Sequence, residues 1–301
     1  MQRVAQKKTS RFYNFFTFQG VWTPLGPDPK HLQKNCVFTV MQVELTEINT
    51  KTNMLLLSSQ SFPHYGLERF FNFAKKAGFD GVEITINGNF DTQNPEYLKE
   101  LEERFKMPIK AFSMPQKSEG EYFAAYQHTV REFTQVSLNL SSPQSFSFGY
   151  KKWVDEVIPK LCQKYDLYLN RRNVKTKAMF GVLPDRPENS MFSLREKGRV
   201  CLDLSALWAN KEESMRTVEF LGDNLHHVYL SNVHRNIPYS PLPAGILPLE
   251  SFLKKLAQKH FKGNFTMVIS PRNLHEGNDK KIIEILKESR EYFDKYFTKL
   301  L

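Results

Sequence analysis

Between Met54 and Tyr296 stand eight short apolar segments, nearly all followed by a segment of helical period. The apolar segments are Met54–Phe62, Gly81–Ile86, Ile109–Met114, Val136–Leu140, Leu167–Asn170, Val200–Leu204, Leu225–Leu230 and Phe265–Ser270. Helices are predicted over Gly66–Gly78, from the Asn94-Pro95 start to about Lys106, and over Ser118–Gln135 and Tyr150–Lys164. Three more are predicted over Lys211–Leu221, Leu249–His260 and Asp279–Tyr296, and an irregular stretch runs up to Gly198. Short apolar strands, nearly all followed by a helix, are covered on both faces, which implies a parallel sheet. Eight such units over about 250 residues is the arithmetic of an α/β fold of the (β/α)8 TIM barrel type. A doubly wound open sheet would carry a G-x-G-x-x-G turn after its first strand, and none is present.

Residues 1–53 lie outside the eight units and read as an N-terminal extension, leaving 54–301 as the barrel. Seven basic residues there (Arg3, Lys7, Lys8, Arg11, Lys30, Lys34, Lys51) face only Asp28, Glu44 and Glu47. Thr23–Pro29 carries too many prolines for a helix. Cys36–Leu45 could form a strand or hairpin arm, or the extension could be poorly ordered or arise from an upstream start codon. A chain starting at Met54 is expected to fold.

A hydrophobic share of 41% over 301 residues excludes a wholly disordered chain. No apolar run approaches the roughly 18 residues of a membrane span. The formal net charge of +10 is compatible with an anionic partner, yet the lysines are dispersed and suit a solvated surface equally. Cys36, Cys162 and Cys201 form no C-x-x-C pair, which argues against a structural zinc site and points to a reducing cytoplasm.

In a (β/α)8 barrel the chemistry sits at the C-terminal ends of the strands. Strand two places Glu83 there, strand three Ser113-Met114-Pro115, strand four Asn139, and strand five Arg171-Arg172-Asn173. Strand six carries Asp203-Leu204-Ser205-Ala206. Strand seven carries Tyr229, Ser231, Asn232, His234 and Arg235, and strand eight Val268 and Ser270-Pro271-Arg272. By alternation one of His226 and His227 faces the barrel, where a packing histidine is expected; Cys201 is expected to be inert core.

The phrases GFDGVEI, VCLDLSA, HHVYLSNVHRN, PLPAGILPLESFLKKL and FKGNFTMVISPRNL stand in an order and spacing that resemble the sugar phosphate isomerase/epimerase family. These are the xylose isomerase-like TIM barrels, whose fold is shared with class II apurinic endonucleases. The resemblance covers about Met54 to Tyr296. It implies a divalent metal held by His, Glu and Asp at the strand ends, orienting a sugar and stabilising an enediolate.

At most of those positions this chain departs from the family. Ser113-Met114-Pro115 stands for His-Ala-Pro, Asn139 for a His, and Arg172-Asn173 for Glu-Asn. Asp203-Leu204-Ser205-Ala206 stands for Asp-Thr-x-His, Tyr229-Leu230-Ser231-Asn232 for His-Leu-x-Asp, and Val268 for a Glu. The Gly-x-Gly loop is reduced to Ala244-Gly245-Ile246. Of the acids, Asp203 remains with Glu83 nearby, and these are the candidate catalytic residues. Arg172 is expected to replace the metal and to pair with Asp203 or Glu83, either as a functional group or as a buried ion pair filling an abandoned cavity. No metal is therefore expected, unless the ancestral site is partly retained.

Arg172, Asn173, Asn232, His234, Arg235 and Arg272 are the candidate ligand-binding residues. Arg172, Arg235 and Arg272 together would form a cationic mouth for a small anionic, sugar-phosphate-like ligand. The reading is a degenerate isomerase/epimerase-type barrel, a pseudoenzyme binding such a ligand or a partner. The alternatives are an active sugar-phosphate isomerase or epimerase with a reduced metal site, and a nucleic-acid-binding relative of the endonuclease branch, which charge alone suggests.

Overall fold

The structure is a computed structural model that describes residues 53–115, 122–143, 147–176, 178–179, 183–184 and 188–301. Eight strands close a barrel: β1 (Leu55–Ser58), β2 (Gly81–Thr85), β3 (Ile109–Ser113), β4 (Ser137–Ser141), β5 (Tyr168–Arg172), β6 (Val200–Asp203), β7 (Leu225–Leu230) and β8 (Asn264–Met267). Each pairs in parallel with its sequence neighbours, and β1 closes the ring against β8 through Leu55↔Phe265 and Leu57↔Met267. The helices between them are α1 (Leu67–Lys76), α2 (Pro95–Phe105), α3 (Phe123–Val130), α4 (Phe148–Lys152, then a π-helical turn at Trp153–Val157, then Ile158–Tyr165) and α5 (Met191–Glu196). They continue as α6 (Leu204–Ala209), α7 (Ser214–Leu221), α8 (Leu249–Gln258) and α9 (Asp279–Tyr296). Except for Asn53, the N-terminal extension lies outside the described residues. Asn53 donates to the carbonyls of Phe261 and Gly263 and so belongs to the barrel. No helix among the described residues is long and apolar enough to cross a membrane.

Local chemistry sets the element ends. The Asn94 side chain accepts from the Tyr97 amide, and Pro95 opens α2 with its fixed φ. Gly78, at φ +77°, turns the chain out of α1 in a conformation that side chains resist. β1 is shorter than the apolar run suggests, because the Ser58 hydroxyl accepts from the Gln60 amide and opens a 3-10 turn at Ser59–Ser61. β5 is longer and carries Arg171 and Arg172 inside the ladder. The π-helical turn in α4 has a local cause. Pro159 has no N–H to give the preceding turn, and the Val154 carbonyl is taken by Arg171 at 2.9 Å instead.

Two layers of opposite chemistry result from period-two alternation along the strands. Outward residues such as Leu55, Leu57, Val82, Ile84, Leu138, Leu140, Leu202, Val228, Leu230, Phe265 and Met267 join the main core with the helices. The inward set is largely polar and equally buried: Ser58, Glu83, Thr85, Ser113, Asn139, Asn170, Arg172, Asp203, His227, Tyr229 and Thr266. The strands are buried on both faces, as expected, but only the outer face is apolar.

Candidate functional site

Glu83 is fully buried at the centre of the barrel. Its Oε1 accepts from the hydroxyls of Ser58 (3.1 Å) and Ser113 (3.2 Å). Its Oε2 accepts from Asn139 Nδ2 (2.9 Å) and Tyr229 Oη (2.6 Å). Ser113, Asn139 and Tyr229 occupy three positions where the family carries metal ligands, and here all three converge on one carboxylate as donors. The relay continues outward: Asn170 donates to Asn139 at 2.9 Å, and Arg199 to Asn170 at 3.1 Å. Burial pushes the Glu83 carboxyl above its ordinary range, against the pull of Tyr229, Asn139 and Arg172.

Asp203 ends β6 and caps α6, accepting from the Ala206 amide at 3.1 Å. Its other oxygen accepts from Tyr239 Oη at 3.1 Å. Burial raises its carboxyl too, opposed chiefly by the positive charge of Arg172. Asn173 braces the same strand end, donating to the Asp203 carbonyl (3.0 Å) and accepting from its amide (2.6 Å).

Arg172 points into the barrel, as alternation requires, while Arg171 points out to Val154 and Asp155. The guanidinium of Arg172 lies over the Tyr229 ring, 4.8 Å from its centroid, and donates to Ser141 Oγ at 2.8 Å. The expected ion pair is not formed: no Arg172 nitrogen lies within 4.0 Å of a carboxylate oxygen of Glu83 or Asp203. The reason is stereochemical. Both Glu83 oxygens are already filled by neutral donors, and the Asp203 oxygens are held by its own helix cap and by Tyr239. Arg172 acts on them through space, and its Nε is buried without a hydrogen-bond partner.

The other candidates divide by location. Asn232 spends its amide on the backbone, donating to Leu242 and accepting from Val233 and Leu247. It thereby folds the 242–247 loop instead of facing a ligand. Gly245 sits against it, and a Cβ there would collide with the Asn232 amide and the Val233 carbonyl. Gly245→Ala is expected to destabilise the protein by about 2 kcal/mol by overpacking this contact; a thermal melt matching the parent's would refute it. His234 and Arg235 do not lie in a plain loop. They form the exposed end of a hairpin, Asn232–His234 against Ile237–Ser240, turned by Arg235 and Asn236 at φ +49° and +63°. Arg272 is exposed in a 3-10 turn after β8 and lines a cleft with His64, Ser270, Pro271, His275 and Glu276. That lining includes neither Arg172 nor Arg235.

His227 is the inward member of its pair and bonds Thr266 through Nε2 at 2.8 Å. Burial, with Arg199 and Arg172 adding to it, holds its pKa down to about 3, so it is neutral at physiological pH. Cys201 packs with Tyr229, Val268 and Tyr239. Tyr239 escaped the sequence reading altogether. It holds φ +57°, a strained conformation for an aromatic residue, fixed by bonds to Ser205, Ser270 and Asn273 and by its phenol on Asp203. The only signal for it was a short alternation after strand seven that suits a hairpin.

A hard divalent ion needs convergent anionic or imidazole ligands with open lone pairs. Glu83 has four donors on its two oxygens, and the neighbouring ligand positions are hydroxyls, an amide and a guanidinium. Among the described residues, no three His, Cys, Asp or Glu gather as a metal site. The donor set does not suit the metal that the fold family implies.

No protein-family model and no curated protein sequence matches the chain. Solved structures match it in fold. An L-ribulose 3-epimerase superposes with a TM-score of 0.64 at 12% identity, covering 82% of this chain and 95% of that one. The 3-keto-D-glucoside 4-epimerase of E. coli gives 0.60 at 14% identity, covering 79% and 99%. The probable 3-DHS dehydratase of Bacillus anthracis gives 0.57 at 14% identity, covering 79% and 97%. This chain thus has the xylose isomerase-like barrel fold that its sequence phrases resemble.

Proposed function

We propose that this barrel is a degenerate member of the isomerase/epimerase type that binds a small sugar-like ligand at the C-terminal ends of its strands. It does so without a divalent metal. The observation that carries the reading is the saturation of Glu83 by Ser58, Ser113, Asn139 and Tyr229. A carboxylate held in this way is a structural acceptor whose oxygens are taken by protein donors and not left open to a metal. Arg172 and Tyr239 remain as polar groups at the strand ends beside Asp203, and a guanidinium with an unpartnered Nε suits an oxygen-rich ligand. Sugar binding by structures of the same fold, including a D-allulose 3-epimerase in complex with D-allulose, supports this ligand class.

In this reading Asp203 orients Tyr239 and caps α6, and Asn173 fixes the strand end that carries both. Purified full-length protein is expected to hold far less than one equivalent of zinc, manganese or magnesium per chain. Chelator is expected to leave its Tm unchanged, because no metal-binding energy is linked to folding. Elemental analysis with a chelator melt checks this. A stoichiometric ion whose removal lowers the Tm would overturn the proposal and favour an active enzyme with a reduced metal site.

A further inference from the structure

At the end of the barrel opposite Arg172 and Asp203, a cavity of about 460 Å³ opens between the C-terminal ends of α7 and α8. Its floor is apolar: Val218 of α7, Leu225 at the start of β7, Leu256 of α8 and Phe261 in the loop that leads into β8. All four are buried. Its rim is polar. Lys259, His260 and Lys262 stand exposed on the loop after α8, Asp223 stands exposed on the 3-10 turn after α7, and His226 comes from β7. The volume is that of a small-molecule site.

The walls are fixed by the chain itself. Gly222 and His260 hold left-handed φ values of +51° and +50°, which turn the chain out of α7 and α8. A Cβ on Gly263 would stand 2.2 Å from the His226 carbonyl oxygen and 2.4 Å from the Phe261 ring, so a glycine is what lets this loop lie against β7. Asn53 Nδ2 then fastens the loop by donating to the carbonyls of Phe261 (2.6 Å) and Gly263 (2.8 Å). The last carbonyls of α8 are taken by the amides of Lys259, His260 and Phe261 at 2.9–3.0 Å. These acceptors are spent within the loop and do not compete for the lysines.

The lysine charges are unspent. Neither ammonium has a carboxylate within 4.0 Å among the described residues, and Glu219, whose carboxyl feels Lys259, is paired with Lys255 at 2.8 Å. Two lysines therefore stand against one aspartate, and the lining is cationic. His226 is half-buried. Burial and the Arg199 charge hold its pKa below the ordinary range, so at neutral pH it offers the single N–H of a neutral imidazole. An apolar floor under two ammonium groups matches a hydrocarbon body that ends in one negative group.

We propose that this cavity binds a small organic anion with an apolar body. Its carboxylate meets Lys259 and Lys262, and its hydrocarbon part rests on Val218, Leu225, Leu256 and Phe261. The site is at the N-terminal ends of the strands, so it is independent of any ligand at the mouth and of the sugar reading.

Calorimetric titration of the full-length protein with 2-naphthoate, octanoate, 2-naphthalenemethanol and 2-naphthylmethylamine tests it. The two acids present an aromatic and an aliphatic body, and the alcohol and amine replace the negative group. At least one acid is expected to bind saturably, and 2-naphthoate about fivefold more tightly than the alcohol, the worth of two partly exposed ion pairs. The tighter acid identifies the body. The double variant Lys259→Gln, Lys262→Gln changes only exposed side chains and is expected to erase that preference. The same change on α1, Lys75→Gln with Lys76→Gln, is expected to leave it intact. Asp223→Asn is expected to strengthen acid binding. No saturable binding of either acid, equal affinity for acid and alcohol, or equal losses in the two double variants would overturn the proposal.

Discussion

Replacing Glu83 with Leu is expected to destabilise the fold by about 4 kcal/mol, whereas Glu83→Gln is expected to be close to neutral. Leu removes the common acceptor of four buried donors. Each stranded donor costs about 1–3 kcal/mol, reduced where a hydroxyl can rotate to another partner. Gln keeps its carbonyl for Asn139 and Tyr229 and turns its amide toward Ser58 and Ser113, whose hydroxyls can rotate to accept. The two variants also differ in pH dependence. The folded Glu83 carboxyl is raised, so the folded state holds a proton that the unfolded chain releases first. Stability from this group is therefore greatest at low pH and falls as pH rises through the folded pKa. Gln lacks that fall, so its stability relative to the parent should improve between pH 5 and pH 8. Urea denaturation at both values measures it. Equal losses for Leu and Gln would mean that the negative charge, and not the donor set, is what the barrel requires.

Arg172→Ala is expected to cost about 3 kcal/mol at pH 8 and less at pH 5. Arg172 is the cation that opposes the burial of both Glu83 and Asp203. Without it both carboxyls rise further, and each adds a loss of stability above its unfolded pKa of about 4. Arg172→Glu should be worse still, since it gathers three carboxyls in one lumen. The same denaturation series separates charge from stacking. A loss that does not change with pH would assign the effect to the contact with the Tyr229 ring.

The barrel was legible in the sequence because alternating strands and capped helices leave strong local marks. Asn94-Pro95 and Gly78 did their predicted work, and the order of the strand-end residues held. Side-chain direction was legible in part: Arg172 enters the lumen as expected, and His227 is the inward member of its pair. What alternation does not carry is partner choice. Nothing local to Glu83 announces that Ser58, Ser113, Asn139 and Tyr229 from four other strands will fill its oxygens, so the expected ion pair with Arg172 went to neutral donors. The hairpin at 232–240 was missed because Arg235-Asn236 is a weak turn signal beside Asn-Gly, and with it Tyr239 went unseen. Asn232 stood at a family ligand position, but its amide is consumed by backbone more than 10 residues away in sequence, at Leu247.

The separation of an apolar outer layer from a polar lumen has a consequence for how such a chain can change over generations. Cohesion between sheet and helices comes from one set of alternate residues, and the lumen is furnished by the other. Substitutions in the lumen must keep its donors and acceptors matched, but they need not preserve any particular chemistry. A lineage can therefore exchange histidines and carboxylates for serines, amides and a guanidinium, one balanced step at a time, while the scaffold passes through the whole series intact.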